Sequence, residues 1–185
     1  YMELEEYRKD YLETVKMLAS AESDGTVSTF VNKVLTDLQD LNVITDYELC
    51  YSVGKYGRKS YRIDAYSFDE YDCSMSIFIA DFDGDNELKT ITKTDAKFLF
   101  EKLSVLVDGC LHGHLCHELE ISTPVYDLAD KIINLNGIIR KYRLFIITDK
   151  EMSEKISTFS QSEIEGISVE YNIWDIQRLF RIMST

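Results

Sequence analysis

Proline is all but absent: the 185 residues hold one, which excludes Pro-rich linkers. No apolar run approaches the ~20 residues that a membrane-spanning helix needs, so no membrane partner is expected. The acidic opening Met2-Glu3-Leu4-Glu5-Glu6 is neither a signal peptide nor a transit peptide, and a cytoplasmic location is the expectation. The four cysteines, Cys50, Cys73, Cys110 and Cys116, form no CxxC pair, so free thiols in a reducing compartment are expected rather than a disulfide framework. Basic residues are scarce: 20 Lys and Arg face 33 Asp and Glu, a net charge of −13. Phosphate neutralisation supplies most non-specific nucleic-acid affinity, so this sign argues against a free-standing nucleic-acid binder. The only histidines, His112, His114 and His117, sit in one short stretch, and no Ser-His-Asp arrangement is suggested. The pair Gly54 and Gly57 lacks the following helix that a phosphate-binding loop needs.

What is present points to a packed core. Hydrophobic residues make up 45 % and charged residues 29 %, outside the disordered regime. The length fits one domain over 1–185, with a helical part at 2–42 and a sheet-containing core at 43–185. Apolar spacing predicts a helix over 3–21, with Leu4, Tyr7, Tyr11, Val15 and Leu18 on one face, and a second over 27–41 built on Phe30, Val31, Val34, Leu35, Leu38 and Leu41. The pattern then changes to strands at 47–53, 60–66 and 74–82, with a turn at Gly54–Gly57 and a hairpin link between the last two. Thr92 or Thr94 caps a long helix with Ala96, Leu99, Leu103, Leu106 and Val107 inward. Residues 110–122 read as irregular or a frayed extension, 125–133 as a helix, and 143–148 as a strand covered on both faces. A strand at 168–173 and a helix at 175–182 follow, with Trp174 as a packing aromatic at their junction. This order predicts an α/β (α+β) fold: a mixed sheet flanked by helices.

Three clusters could carry chemistry. The turn from Asp81 to Glu87 has alternating acids like a calcium loop, but its Gly is fourth and Thr92 stands where the twelfth-position Glu belongs; an acidic turn is the better reading. Cys110, His112, His114 and Cys116 are soft ligands in one run, but the second knuckle of a zinc site is missing, and no metal is expected there. Lys55, Arg58, Lys59 and Arg62 form one basic cluster that nucleic acid could use, and Arg140, Lys141 and Arg143 form a second. Solvated flanks of strands are the plainer reading of both, and any nucleic-acid binding is expected to be weak.

The run Tyr61-Arg62-Ile63-Asp64-Ala65-Tyr66 leading into Ser76-Ile77-Phe78-Ile79-Ala80-Asp81-Phe82 resembles the metal-binding half of PD-(D/E)xK nucleases, a restriction-endonuclease-like core. There an Asp at a strand end faces a Glu/Gln-x-Lys triplet on the next strand. Asp64 stands in the place of the first acid, but the triplet reads Ala80-Asp81-Phe82. A catalytically degenerate core is therefore expected, with Asp64 and Asp81 as vestigial catalytic or metal candidates and no cofactor. The alternative is an active Mg²⁺-dependent nuclease using those two acids in a displaced arrangement.

The chain also resembles the N-terminal region of the abortive infection phage resistance (AIPR) family. The resemblance runs through Met2-Glu-Leu-Glu-Glu-Tyr7, Arg62-Ile-Asp-Ala-Tyr66, Ile77-Phe-Ile-Ala-Asp-Phe82, Thr92-Lys-Thr-Asp95, Arg143-Leu-Phe145, Val169-Glu-Tyr-Asn-Ile-Trp-Asp175 and Arg178-Leu179. It implies a role in bacterial phage defence and a leading domain cut from a longer protein. The partner it implies is that protein's own C-terminal region. The resemblance supplies no catalytic residues. A recognition or assembly module is the leading expectation, and a dimerisation domain, as a homo-oligomer without ligand, stays open beside it.

Overall fold

The computed structural model describes residues 3–154 and 159–184, apart from the side chain of His114. Met2, assigned above to the helical start, lies outside them. Two helices open the chain, α1 (Leu4–Glu22) and α2 (Thr26–Asp40). Ser23, in the left-handed conformation at φ 53°, breaks them apart. The α2 stripe is as its 3.6-residue period predicts, with Phe30, Val31, Val34, Leu35 and Leu38 buried. The α1 stripe is not. It buries Arg8, Tyr11, Leu12, Val15 and Ala19, whereas Leu18 is exposed. The helix is rotated because Arg8, a polar residue inside the apolar stripe, is drawn to a buried partner.

An antiparallel meander follows: β1 (Glu48–Tyr56), β2 (Lys59–Asp69) and β3 (Ser74–Asp81). The β1–β2 turn is at Gly57-Arg58, later than the expected turn from Gly54 to Gly57. Gly54 is inside β1 because a Cβ there would lie 2.5–2.8 Å from the Tyr61 ring across the ladder, so only glycine fits. After a short β4 (Thr90–Ile91) comes α3 (Lys93–Leu111). Its cap is Thr92, not Thr94: Thr92 Oγ1 accepts from the Asp95 amide and the Asp95 carboxylate accepts from the Thr92 amide, both at 3.1 Å, a reciprocal capping box. The stretch expected to be irregular contains a helix, α4 (His114–Glu118). Then come α5 (Pro124–Asn134), β5 (Lys141–Thr148), β6 (Glu151–Met152), β7 (Ser162–Ile164), β8 (Ile167–Trp174) and α6 (Ile176–Met183). The sequence pattern misses β4, β6 and β7, which are too short to show an alternation.

These strands form a six-stranded mixed sheet in the order β1-β2-β3-β5-β8-β7, and β4 pairs with β6. The expected mixed sheet flanked by helices is what the structure has. β3, β5 and β8 run parallel at its centre. Strand alternation sorts their side chains onto two cores. Ile77, Ile79, Leu144 and Ile146 pack with α3 and α5. Ala65, Phe78, Ala80, Phe145 and Ile147 pack with α1, α2 and α6.

Arg8 ties the helical face to the sheet. Its Nε donates to the Asp149 carbonyl at 2.7 Å, Nη1 to the Asp85 carbonyl at 2.7 Å and Nη2 to Asp149 Oδ2 at 3.0 Å. Asp149, at the exit of β5, accepts from the Asp83 and Gly84 amides at 2.9 and 2.8 Å. Arg8 and Asp149 are 2 % and 0 % exposed, so removing one partner strands a buried charge. Arg8→Ala is expected to lower unfolding stability by about 3–5 kcal/mol, and Arg8→Ala with Asp149→Ala by less than the sum of the single losses. Urea unfolding measures both, and a single-variant loss below about 1 kcal/mol would show that the pair is not what holds α1.

Candidate functional site

Asp64 lies inside β2, not at a strand end as expected, but at the place where the β2–β3 ladder stops. The two strands pair from Asp69–Ser74 to Ala65–Phe78. Beyond that point the Ala80 amide donates to Asp64 Oδ2 at 2.8 Å, so the carboxylate takes the place of a backbone acceptor. On the other side β1 carries a bulge: Leu49 pairs with Ala65 and Ser52 with Ile63, leaving Cys50 and Tyr51 opposite Asp64 alone. Arg62, two residues earlier on the same face, puts Nη2 3.1 Å from Asp64 Oδ2 and lies over the Tyr51 ring. Above them is a pocket of about 330 Å³ walled by Val27, Val31, Leu49 and Tyr51.

Asp64 is 4 % exposed. Burial pushes its carboxyl above the ordinary carboxylate value, and the Arg62 guanidinium and the Ala80 amide only partly offset this. Burial and the nearby Asp64 carboxylate also push the Cys50 thiol up.

The outer triplet positions, Ala80 and Phe82, carry hydrocarbon. Ala80 is fully buried. The Phe82 ring packs 4.7 Å from the Phe30 ring of α2. Asp81, one residue along the pleat from Ala80, pairs with Lys150 at 3.1 Å. Among the described residues, no set of three His, Cys, Asp or Glu side chains that includes Asp64 or Asp81 brings its ligand atoms within 4.8 Å. A single carboxylate occupied by an amide and a guanidinium does not fit Mg²⁺, which needs near-octahedral oxygen ligands.

The acids of the Asp81–Glu87 turn are likewise engaged. Lys89 Nζ lies 3.0 Å from Asp83 and 2.8 Å from Asp85, while the Asp83 and Gly84 amides face Asp149. The cysteine–histidine run is spread over two helices. Cys110 is buried in α3 rather than half buried, and burial pushes its thiol up to about 12. Cys116 is half-buried on α4, His117 is exposed, and the His114 side chain lies outside the described residues. His112 alone is drawn into a group, with Asp108 and Glu165. In the basic cluster, Lys55, Arg58 and Lys59 are exposed at the β1–β2 turn, while Arg62 is committed to Asp64. Of the second cluster, Lys141 and Arg143 pair with Glu170, and Arg143 with Asp72.

Arg8, Asp149 and Glu165 were not singled out from sequence. An arginine at i of the apolar set Tyr11, Leu12 and Val15 was a usable signal for the first. An acid just past the apolar Leu-Phe-Ile-Ile run of β5 was one for the second. Glu165 gave none.

Two outcomes follow. A raised carboxyl pKa in the fold means that Asp64 favours folding when protonated, and this contribution is lost as pH rises through the folded value. Asp64→Asn keeps an acceptor for the Ala80 amide without the charge. Its unfolding midpoint is therefore expected to exceed that of the wild type at pH 7, and the gain to shrink as pH falls toward about 4. A variant less stable than wild type at pH 7 would show that the Arg62 pair outweighs burial. Separately, fluorescence anisotropy with duplex DNA at physiological salt is expected to give binding no tighter than the non-specific ~10⁻⁴ M range. Submicromolar binding with a steep salt slope would make Lys55, Arg58 and Lys59 a working basic face.

Comparison with known proteins gives one match: the family model described as "Abortive infection phage resistance protein N-terminal domain" covers residues 30–181. No curated protein and no solved structure matches the chain.

Proposed function

The chain belongs to the abortive infection phage resistance N-terminal domain family, and on that premise we propose that it is a catalytically silent, nuclease-like module of a cytoplasmic phage-resistance protein, serving recognition or assembly. The observation that carries this reading is the state of Asp64. Phosphodiester hydrolysis needs a metal-activated water and positive charge near the developing negative charge. Asp64 instead accepts from a backbone amide and pairs with Arg62. At the lysine position of the nuclease layout stands Phe82, stacked on Phe30. An aromatic ring there donates no proton and carries no charge.

The assembly half of the proposal draws on β1. It is an edge strand, and its outward residues Leu49, Tyr51 and Val53 are exposed, Tyr51 to 65 %. An apolar edge beside a pocket is surface that a partner would cover. The partner that the family resemblance implies is the rest of the longer protein.

The deciding assay incubates wild type and Asp64→Asn with plasmid, single-stranded DNA and RNA in Mg²⁺ or Mn²⁺. Neither protein is expected to cut above a buffer control. Metal-dependent cleavage by wild type that disappears in Asp64→Asn would replace this reading with an active nuclease.

A further inference from the structure

We propose that Asp108, His112 and Glu165 form a surface site for a borderline divalent cation, Zn²⁺ among the biological ones, on the side of the sheet away from Asp64. The ligand atoms of the three lie within 4.8 Å of one another. Asp108 and His112 are one turn apart at the end of α3, where i and i+4 side chains share a face. Glu165 comes from the two-residue turn between β7 and β8, where it and Gly166 both have positive φ, 51° and 78°. The turn is closed by the Ile164–Ile167 pair. One support is the end of a helix and the other a hairpin turn, so the donors are brought together from two sides.

The histidine is arranged as metal-binding histidines are. Its Nδ1 lies 2.8 Å from the Asp108 carbonyl and 3.2 Å from the Asp108 carboxylate, and these acceptors require Nδ1 to carry the proton. In the neutral ring the lone pair is then on Nε2, 3.6 Å from Glu165 Oε1. A backbone carbonyl behind the ring fixes tautomer and orientation for a metal at the far nitrogen. The Tyr56 ring stacks at 6.5 Å and limits ring rotation. The end of α3 adds to this: its last turn has no basic residue, so the negative end of the helix dipole favours a cation there. One imidazole and the Glu165 carboxylate, with Asp108 behind the ring and water completing the shell, suit Zn²⁺ better than Mg²⁺. A zinc held there would join the end of α3 to the β7–β8 turn.

This site is not the Cys110, His112, His114 and Cys116 set weighed from sequence. Only His112 is common to both, and the other two donors are brought in by the fold.

The test is isothermal titration of chelator-stripped protein with ZnCl₂. Wild type is expected to bind about one equivalent. His112→Ala and Glu165→Gln are each expected to weaken it roughly ten- to hundredfold. Cys116→Ser and His117→Ala are expected to leave it unchanged. All four positions are at least partly exposed, and circular dichroism checks that each variant is folded. Three results would overturn the proposal: no zinc binding by wild type, binding indifferent to His112→Ala and Glu165→Gln, or binding lost in Cys116→Ser. The first would make His112 an ion-pairing residue only, and the last would put the metal on the cysteine–histidine run.

Discussion

Much of this architecture depends on one buried ion pair. Arg8 and Asp149 are removed from water at a desolvation cost that only full satisfaction of both groups can offset. That satisfaction comes from three separate pieces of chain: α1, the turn after β3 and the exit of β5. The geometry cannot be met piecemeal. With Arg8 inward, α1 rotates so that Tyr11, Leu12 and Val15 face the core. Tyr11 then meets Phe30 of α2 edge-on and donates a hydrogen bond to Asp37 at 2.7 Å. α2 in turn lays Phe30 against Phe82.

The consequence for function runs along the same chain of contacts. The sheet face that carries Asp64 is the face these helices cover, so the acid is buried, with Arg62 and the Ala80 amide as its polar partners. The carboxylate acts as a structural acceptor at a break between β2 and β3, and the bulge in β1 opposite it makes room. The opposite face is different in kind. α3 and α5 pack on it through aliphatic and aromatic side chains, and its polar groups gather at the rim, where α3 ends and the β7–β8 turn begins. The sheet thus separates the buried Asp64 from the polar groups at that rim.

How much could be read from the residues differs from element to element. α2, α3 and β5 were legible because each carries a long unbroken period, and the family resemblance needed only the order of such pieces. That residues 80–82 carry no Glu/Gln-x-Lys triplet was legible too, since they read Ala80-Asp81-Phe82. The rotation of α1 was not legible. Propensity and period favour Leu18 inward, and only a partner 141 residues away reverses that. Nor was the role of Gly54, which looks like turn punctuation until the Tyr61 ring is placed beside it.

By itself the sequence determined the class of fold, the acidic balance and the apolar character of Ala80 and Phe82, because composition and local period are properties of neighbouring residues. Only the tertiary structure decided which charged groups meet. Arg8 with Asp149, Asp64 with the Ala80 amide, and His112 with Glu165 are each set by how strands and helices are stacked. Hydrogen bonds and ion pairs act over about 3 Å, and no spacing along a chain fixes which distant groups will come that close.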